Sequence, residues 1–72
     1  MRRFQFRLAL SAQTTESIYR GNARYLLVES EQGLKLQLPT LNFRAYVTDR
    51  GINGCFRVCI DDSNRIVELS RL

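Results

Sequence analysis

Two cysteines, an Asp-Asp pair and ten arginines are the residues of this 72-residue chain whose types could carry chemistry. Histidine is absent, which removes the commonest general base and the commonest metal ligand. Cys55 and Cys59 stand four apart within Ile52–Ile60, an alternating stretch that reads as a strand. At about 3.3 Å of rise per residue their Cα atoms lie roughly 13 Å apart. That exceeds the approximately 7 Å a disulfide spans and prevents joint ligation of one zinc. They read as two ordinary thiols on an outer face, and a bridge between copies does not suit a reducing compartment. Asp61-Asp62-Ser63-Asn64 lacks the further acidic ligands and the terminal Glu of a calcium loop. It fits a hairpin turn whose side chains bond local backbone. Gly51-Ile52-Asn53-Gly54 lacks the Gly-Lys-Ser/Thr end of a phosphate loop. Gly51 reads as the end of a helix, and Gly54 as a bulge or a close backbone approach. No triad, dyad or cofactor fingerprint remains, so the expectation is a non-catalytic chain with no cofactor and no metal.

The arginines need elements to position them. Residues Arg3 to Leu10 alternate strictly, with Phe4, Phe6, Leu8 and Leu10 on one side and Arg3, Gln5, Arg7 and Ala9 on the other. Period two with aromatic residues predicts a half-buried strand. Ser11 offers an N-cap for a short helix from Ala12 to Arg20, ending at Gly21. Arg24 to Ser30 reads as a second strand, apolar on both sides through Tyr25, Leu26, Leu27 and Val28, and so central in its sheet. Glu31-Gln32-Gly33 forms a three-residue hairpin loop with Gly33 in the left-handed conformation. Leu34 to Leu38 alternates again, and Pro39, without a ladder donor, stops that strand. Thr40 caps a second helical segment, Leu41 to Thr48, closed by Asp49-Arg50-Gly51. Ile52 to Ile60 is the fourth strand, with Ile52, Gly54, Phe56, Val58 and Ile60 toward the core and Asn53, Cys55, Arg57 and Cys59 outward. After the acidic turn, Arg65 to Leu72 returns as the last strand. The order β-α-β-β-α-β-β predicts one α+β domain. Its antiparallel strands, about five, curl into an open sheet or a small, partly open barrel.

On this plan Arg3, Arg7 and Arg57 point away from the core and share one patch if the first and fourth strands pair. They are the candidate nucleic-acid contacts, with a solvated sheet face as the plain alternative. The net charge of +4 and pI of about 9.7 agree with an anionic partner. The same charge also falls in the range of roughly 2–8 that keeps a small domain soluble. No aromatic motif of the RNA-binding kind interleaves with the arginines, since Phe4, Phe6 and Phe56 belong to the core side. Tyr25 and Tyr46 are the remaining stacking candidates.

Arg20 and Arg24 form an R-x-x-x-R ahead of the second strand and are the alternative anion-binding pair. The spacing resembles that of PilZ domains, in which such arginines hold the phosphates and guanine of cyclic di-GMP and a later [Asp/Asn]-x-Ser-x-x-Gly completes the site. Asp61 and Ser63 match that pattern, while Ile66 stands where the family has Gly. The structural alternative places Arg20 at a helix C-terminus, where a cation complements the dipole, and Arg24 at a strand edge. A second resemblance covers nearly the whole chain. Tyr19-Arg20-Gly21-x-Ala23-Arg24, Gly33, Leu38-Pro39, Phe43-Arg44-x-x-Val47-Thr48 and Gly51-Ile52-x-Gly54-x-Phe56 are together similar to a small, uncharacterised proteobacterial family of single-domain proteins. The resemblance implies a bacterial, stand-alone cytoplasmic protein and brings no activity or site residue with it.

Length and composition bound the rest. A chain of this size buries only about 60% of its unfolded surface, which leaves a thin core. No stretch approaches the roughly 18 apolar residues of a membrane span, and the alternating MRRFQFRLALS lacks the continuous apolar region of a signal peptide. The expectation is a cytoplasmic protein without membrane contact. Two partner classes follow: another protein or a second copy, drawn to the apolar second strand, or a nucleic acid, drawn to the arginine face.

Overall fold

Alternation in the first residues becomes strand β1 (Arg2–Leu10), with Phe4, Phe6 and Leu8 buried and Arg3 and Arg7 in solvent. The computed structural model describes all residues from Met1 to Leu72. Ser11 caps helix α1 (Ala12–Tyr19) from an extended backbone, its hydroxyl accepting the Thr14 N–H at 3.2 Å. Ile18 and Thr15 turn inward. The Thr15 hydroxyl is shared between the Ser11 and Ala12 carbonyls at 3.0 Å each, which satisfies a fully buried polar group.

β2 (Tyr25–Glu29) and β3 (Lys35–Pro39) form an antiparallel hairpin around Gly33, which takes φ 83° as its turn requires. The second strand is not central. It belongs to a separate two-stranded sheet whose inner face carries Val28 and Leu38, while Tyr25 and Leu27 point into solvent. An apolar run on both sides of a strand predicts burial on both. The chain covers only one side of this strand, because its two short helices pack elsewhere.

The second helical segment also departs from expectation. It is a 3-10 helix, Thr40–Tyr46, that starts one residue earlier and follows Pro39 without a side-chain cap. Thr40 is buried instead, and its hydroxyl donates to the Ala23 carbonyl at 2.7 Å, tying the helix start to the entry of β2. Three residues per turn put Thr40, Phe43 and Tyr46 on one side, and that side faces the core. The helix ends at Tyr46, so Gly51 does not terminate it. Gly51 instead closes a tight turn with Thr48, whose N–H donates to the Gly51 carbonyl at 2.9 Å.

β4 (Ile52–Ile60) is the true central strand, paired antiparallel with β1 on one side and β5 (Ile66–Arg71) on the other. Register sets Phe6 opposite Phe56 and Phe4 opposite Val58. The Phe6 and Phe56 rings stack with centroids 5.8 Å apart, and Phe43 meets both edge-on at 6.2 and 5.9 Å. Tyr46 adds an edge contact to Phe56 at 5.2 Å, and its hydroxyl donates to the Leu69 carbonyl of β5. Gly54 carries no bulge. The register shift falls at Cys59/Ile60, and what approaches Gly54 closely is the Arg71 guanidinium.

One main-chain bond, from Glu31 N–H to the Gln5 carbonyl at 2.8 Å, joins the hairpin to the free side of β1. β3 and β5 do not pair. The two sheets thus curl toward a barrel that stays open between β3 and β5, an α+β domain of five antiparallel strands and two helices.

A Cβ on Gly51 would stand 1.9 Å from the Leu10 carbonyl oxygen at φ 101°, whereas one on Gly33 meets nothing within 4 Å. Gly51→Ala should therefore destabilise by about 2–5 kcal/mol through backbone strain plus overpacking. Gly33→Ala carries only the strain, about 1–2 kcal/mol. Urea-denaturation midpoints of the two variants give the comparison, and equal losses would remove the Leu10–Gly51 approach as a constraint.

Candidate functional site

Pairing of β1 with β4 brings the three expected arginines together. Across the outer face of the three-stranded sheet, Arg3 lies opposite Cys59, Gln5 opposite Arg57 and Arg7 opposite Cys55. All three arginines are exposed, and none has a carboxylate within 4 Å. The ion pairs of the molecule are Arg20–Glu16 and the amino terminus with Asp62. Arg3, Gln5 and Arg57 line a polar cleft of about 360 Å³ with Glu31 and Gln32 across from them. β5 contributes Glu68 and Ser70 to the same face, opposite Cys59 and Arg57. No aromatic ring joins it: Tyr25 lies on the hairpin, and Tyr46 is half-buried against Phe56. The face offers cations and hydrogen-bond donors without a stacking platform.

The cysteines correct one expectation. Both are free thiols on the outer side of β4, yet Cys59 is buried at 7% exposure and Cys55 is half-buried. β4 has a neighbour on each side, so Cys59 sits in a trough between the longer side chains of Arg3 and Glu68. The acidic turn behaves as anticipated. Asp61 accepts the Ser63 and Arg65 N–H groups at 2.9 Å each, and Asn64 takes φ 63°.

Arg20 and Arg24 part company. Arg20 reaches back one turn to Glu16 at 2.6 Å. Arg24 instead lines a groove of about 410 Å³ between the end of α1, the start of β2 and the 3-10 helix, and its cationic companion there is Arg44. Arg44 donates to the Tyr19 carbonyl at 2.9 Å and lies over the Tyr19 ring at 5.3 Å. Sequence spacing gave no sign of that pairing, because residues 24 and 44 meet only through the hairpin. Tyr25, Pro39 and Leu41 form the apolar wall of the same groove. It opens onto the outer face of the hairpin, where Tyr25 and Leu27 are exposed at 59% and 67%, and Leu41 is exposed at 71%.

A further cleft, of about 470 Å³, lies between β3 and the adjoining ends of β1, β4 and β5, with Arg2, Lys35 and Arg65 at its rim. None of these three was singled out by sequence, since they come from separate segments. No group of three or more Cys, Asp or Glu side chains is arranged to hold a metal ion, and no helix is long and apolar enough to cross a membrane.

The family described as a protein of unknown function, DUF2835, matches residues 2–72. The chain belongs to the DUF2835 family. The match takes in both sheets and both helices, so family membership extends to every element described above. No curated protein and no solved structure matches the chain. Function in this DUF2835 member therefore has to be argued from its surfaces.

Native-state alkylation should modify Cys55 first and Cys59 roughly tenfold or more slowly, because Cys59 needs local opening of the sheet. Mass spectrometry of timed iodoacetamide samples reads the ratio. Equal rates would mean that the cover over Cys59 is not maintained in solution.

Proposed function

We propose that this DUF2835 protein is a non-catalytic interaction module that assembles with a second copy through the outer face of the β2–β3 hairpin. The observation that carries the reading is the exposure of Tyr25, Leu27 and Leu41 around Pro39, on an element with no second layer over it. Apolar groups gathered on a sheet face are the usual mark of a protein-binding surface. A second copy fits because the hairpin itself carries a matched pair of opposite charges, Glu29 directly across from Lys35, with Arg24 and Arg44 at its border. Elsewhere a protein of net charge +4 repels its own kind. Two such faces related by a two-fold axis bury the same residues from each side, and they add apolar contact to a core built from only eleven side chains.

Sedimentation equilibrium tests the reading. A dimer held by apolar burial persists or strengthens as salt rises. Leu27→Glu, at an exposed position, should leave the circular dichroism unchanged and shift the protein to monomer, since it places two carboxylates in the contact. A wild-type chain that stays monomeric up to about millimolar concentration, equivalent to less than about 4 kcal/mol of association, would rule the assembly out.

A second reading is supported by Arg3, Arg7 and Arg57, three unpaired cations on neighbouring strands. They suit phosphate contacts to a single-stranded nucleic acid, bound by charge with little base preference because no ring is offered for stacking. Fluorescence anisotropy with a labelled single-stranded oligonucleotide should show affinity falling steeply with salt. The Arg3→Glu, Arg57→Glu double variant should abolish it. Unchanged affinity in that variant would eliminate the arginine face as the binding surface.

A further inference from the structure

The open side of the barrel exposes main-chain groups as well as side chains. In the hairpin, Ser30 N–H donates to the Leu34 carbonyl at 2.8 Å and Thr40 N–H to the Arg24 carbonyl at 3.0 Å. Even-numbered residues of β3 therefore turn their main-chain groups to β2. By the alternation of an antiparallel ladder, the N–H and C=O of Lys35 and Gln37, and the C=O of Pro39, point the other way. β3 pairs only with β2, so these five groups have no strand beside them.

They border the cleft of about 470 Å³ between β3 and the ends of β1, β4 and β5. Its floor is apolar, formed by Phe4, Leu36, Leu38, Ile60 and Ile66. Its rim carries Arg2, Lys35 and Arg65, none of them in an ion pair, and no carboxylate lines it. Arg2 is held in place over the Phe4 ring at 5.9 Å, donating to the Asn64 side-chain carbonyl at 2.7 Å. The acidic residues nearest in sequence are engaged elsewhere: Asp61 accepts N–H groups of its own turn, and Asp62 stands 3.9 Å from the amino terminus.

We propose that this edge and cleft receive an extended acidic segment of a partner protein, added alongside β3 as a third strand of the hairpin sheet. Strand addition draws its affinity from main-chain bonds and its selectivity from alternate side chains. Here the guest strand meets an apolar floor and a rim of three cations, so the matching sequence interleaves aliphatic and acidic residues. A second copy of β3 is a poor guest. It would bring a second set of three cations against the first, and Pro39 would supply no donor. A nucleic acid finds no exposed ring for its bases here, since Phe4 is buried beneath Arg2. The site shares Lys35 and Pro39 with the border of the outer hairpin face but not Tyr25 or Leu27, so the Leu27→Glu variant tells the two apart, and the proposal stands whether or not that face assembles.

The probe is a blocked synthetic peptide of about six residues alternating glutamate and valine, the length that matches a short strand. Titration into the ¹⁵N-labelled full chain should shift the Lys35 and Gln37 amides and slow their hydrogen exchange, while Leu36 and Leu38 amides, already bonded to β2, change little in exchange. Lys35→Glu should weaken binding roughly tenfold or more, and added salt should weaken it in wild type. Gln37→Pro, which removes an edge donor without touching charge, should weaken it comparably. Leu27→Glu should bind as wild type does. Four outcomes would overturn the proposal: shifts without added protection at residues 35 and 37, undiminished affinity in folded Lys35→Glu, loss of binding in folded Leu27→Glu, or equal protection by an oligonucleotide of the same charge.

Discussion

The stack of Phe6 on Phe56, closed edge-on by Phe43, is the contact on which the rest of the molecule depends. It joins the two long strands at the middle of their ladder and fixes their register. A slip of β1 by one residue against β4 would turn Phe4, Phe6 and Leu8 to solvent and Arg3 and Arg7 into the core, exchanging every side chain of that strand at once. Aromatic pairs of this geometry add about 0.5–1.5 kcal/mol each beyond the area they bury. In a domain whose whole stability is of order 4–11 kcal/mol at its length, three mutually touching rings are a large share. The same cluster reaches outward through Tyr46, which touches Phe56 with its ring and holds β5 through the Leu69 carbonyl. A 3-10 segment with little intrinsic stability is thus pinned at both ends, by Thr40 to Ala23 and by Tyr46 to β5.

How much of this was legible in the sequence follows from whether the deciding interaction is local. β1 and β4 were readable almost to the residue, because alternation is a property of consecutive positions and both strands have one wet face and one dry face. Ser11 and Asp61 were readable for the same reason: each bonds backbone within four residues. The grouping of Arg3, Arg7 and Arg57 needed only the further step that the two alternating strands pair. β2 was readable as a strand but its central place was not, since an apolar residue on both sides of a strand states a preference and does not count the layers available to satisfy it. No other element of the fold lies over the Tyr25–Leu27 face. Gly51, Arg44 and Cys59 each take their roles from a neighbour distant in sequence, Leu10, Tyr19 and Arg3 respectively. Thr40 had the right residue type for a cap and was claimed by the Ala23 carbonyl instead.

The charge distribution has a similar logic. Ten arginines and one lysine meet seven carboxylates, yet the molecule makes only one side-chain ion pair, Arg20–Glu16. Asp61 serves its own turn, Asp62 stands by the amino terminus and Glu68 accepts from Ser70, while Glu29, Glu31 and Asp49 stand apart from the cations. Unpaired cations therefore accumulate on the outer face of the three-stranded sheet, in the groove at Arg24 and Arg44, and at the rim beside β3. At the rim beside β3, Lys35 has Glu29 directly across the hairpin from it, without an ion pair between them. Copies of this protein that approach with these cationic surfaces facing one another repel.

An open barrel of this size exposes strand edges, and exposed edges invite indiscriminate pairing. The edges here are guarded unequally. The free side of β1 is capped at Gln5 by the Glu31 N–H, and that of β5 at Leu69 by the Tyr46 hydroxyl. β3 is left open but carries Lys35 and ends in Pro39, a cation and a missing donor that both disfavour an identical strand. The backbone groups of Lys35, Gln37 and Pro39 thus stand beside a cationic rim, while the sheet faces offer side chains alone. The division follows from the register set by Phe6 and Phe56, because that register determines which end of the barrel stays open and which residues stand around it.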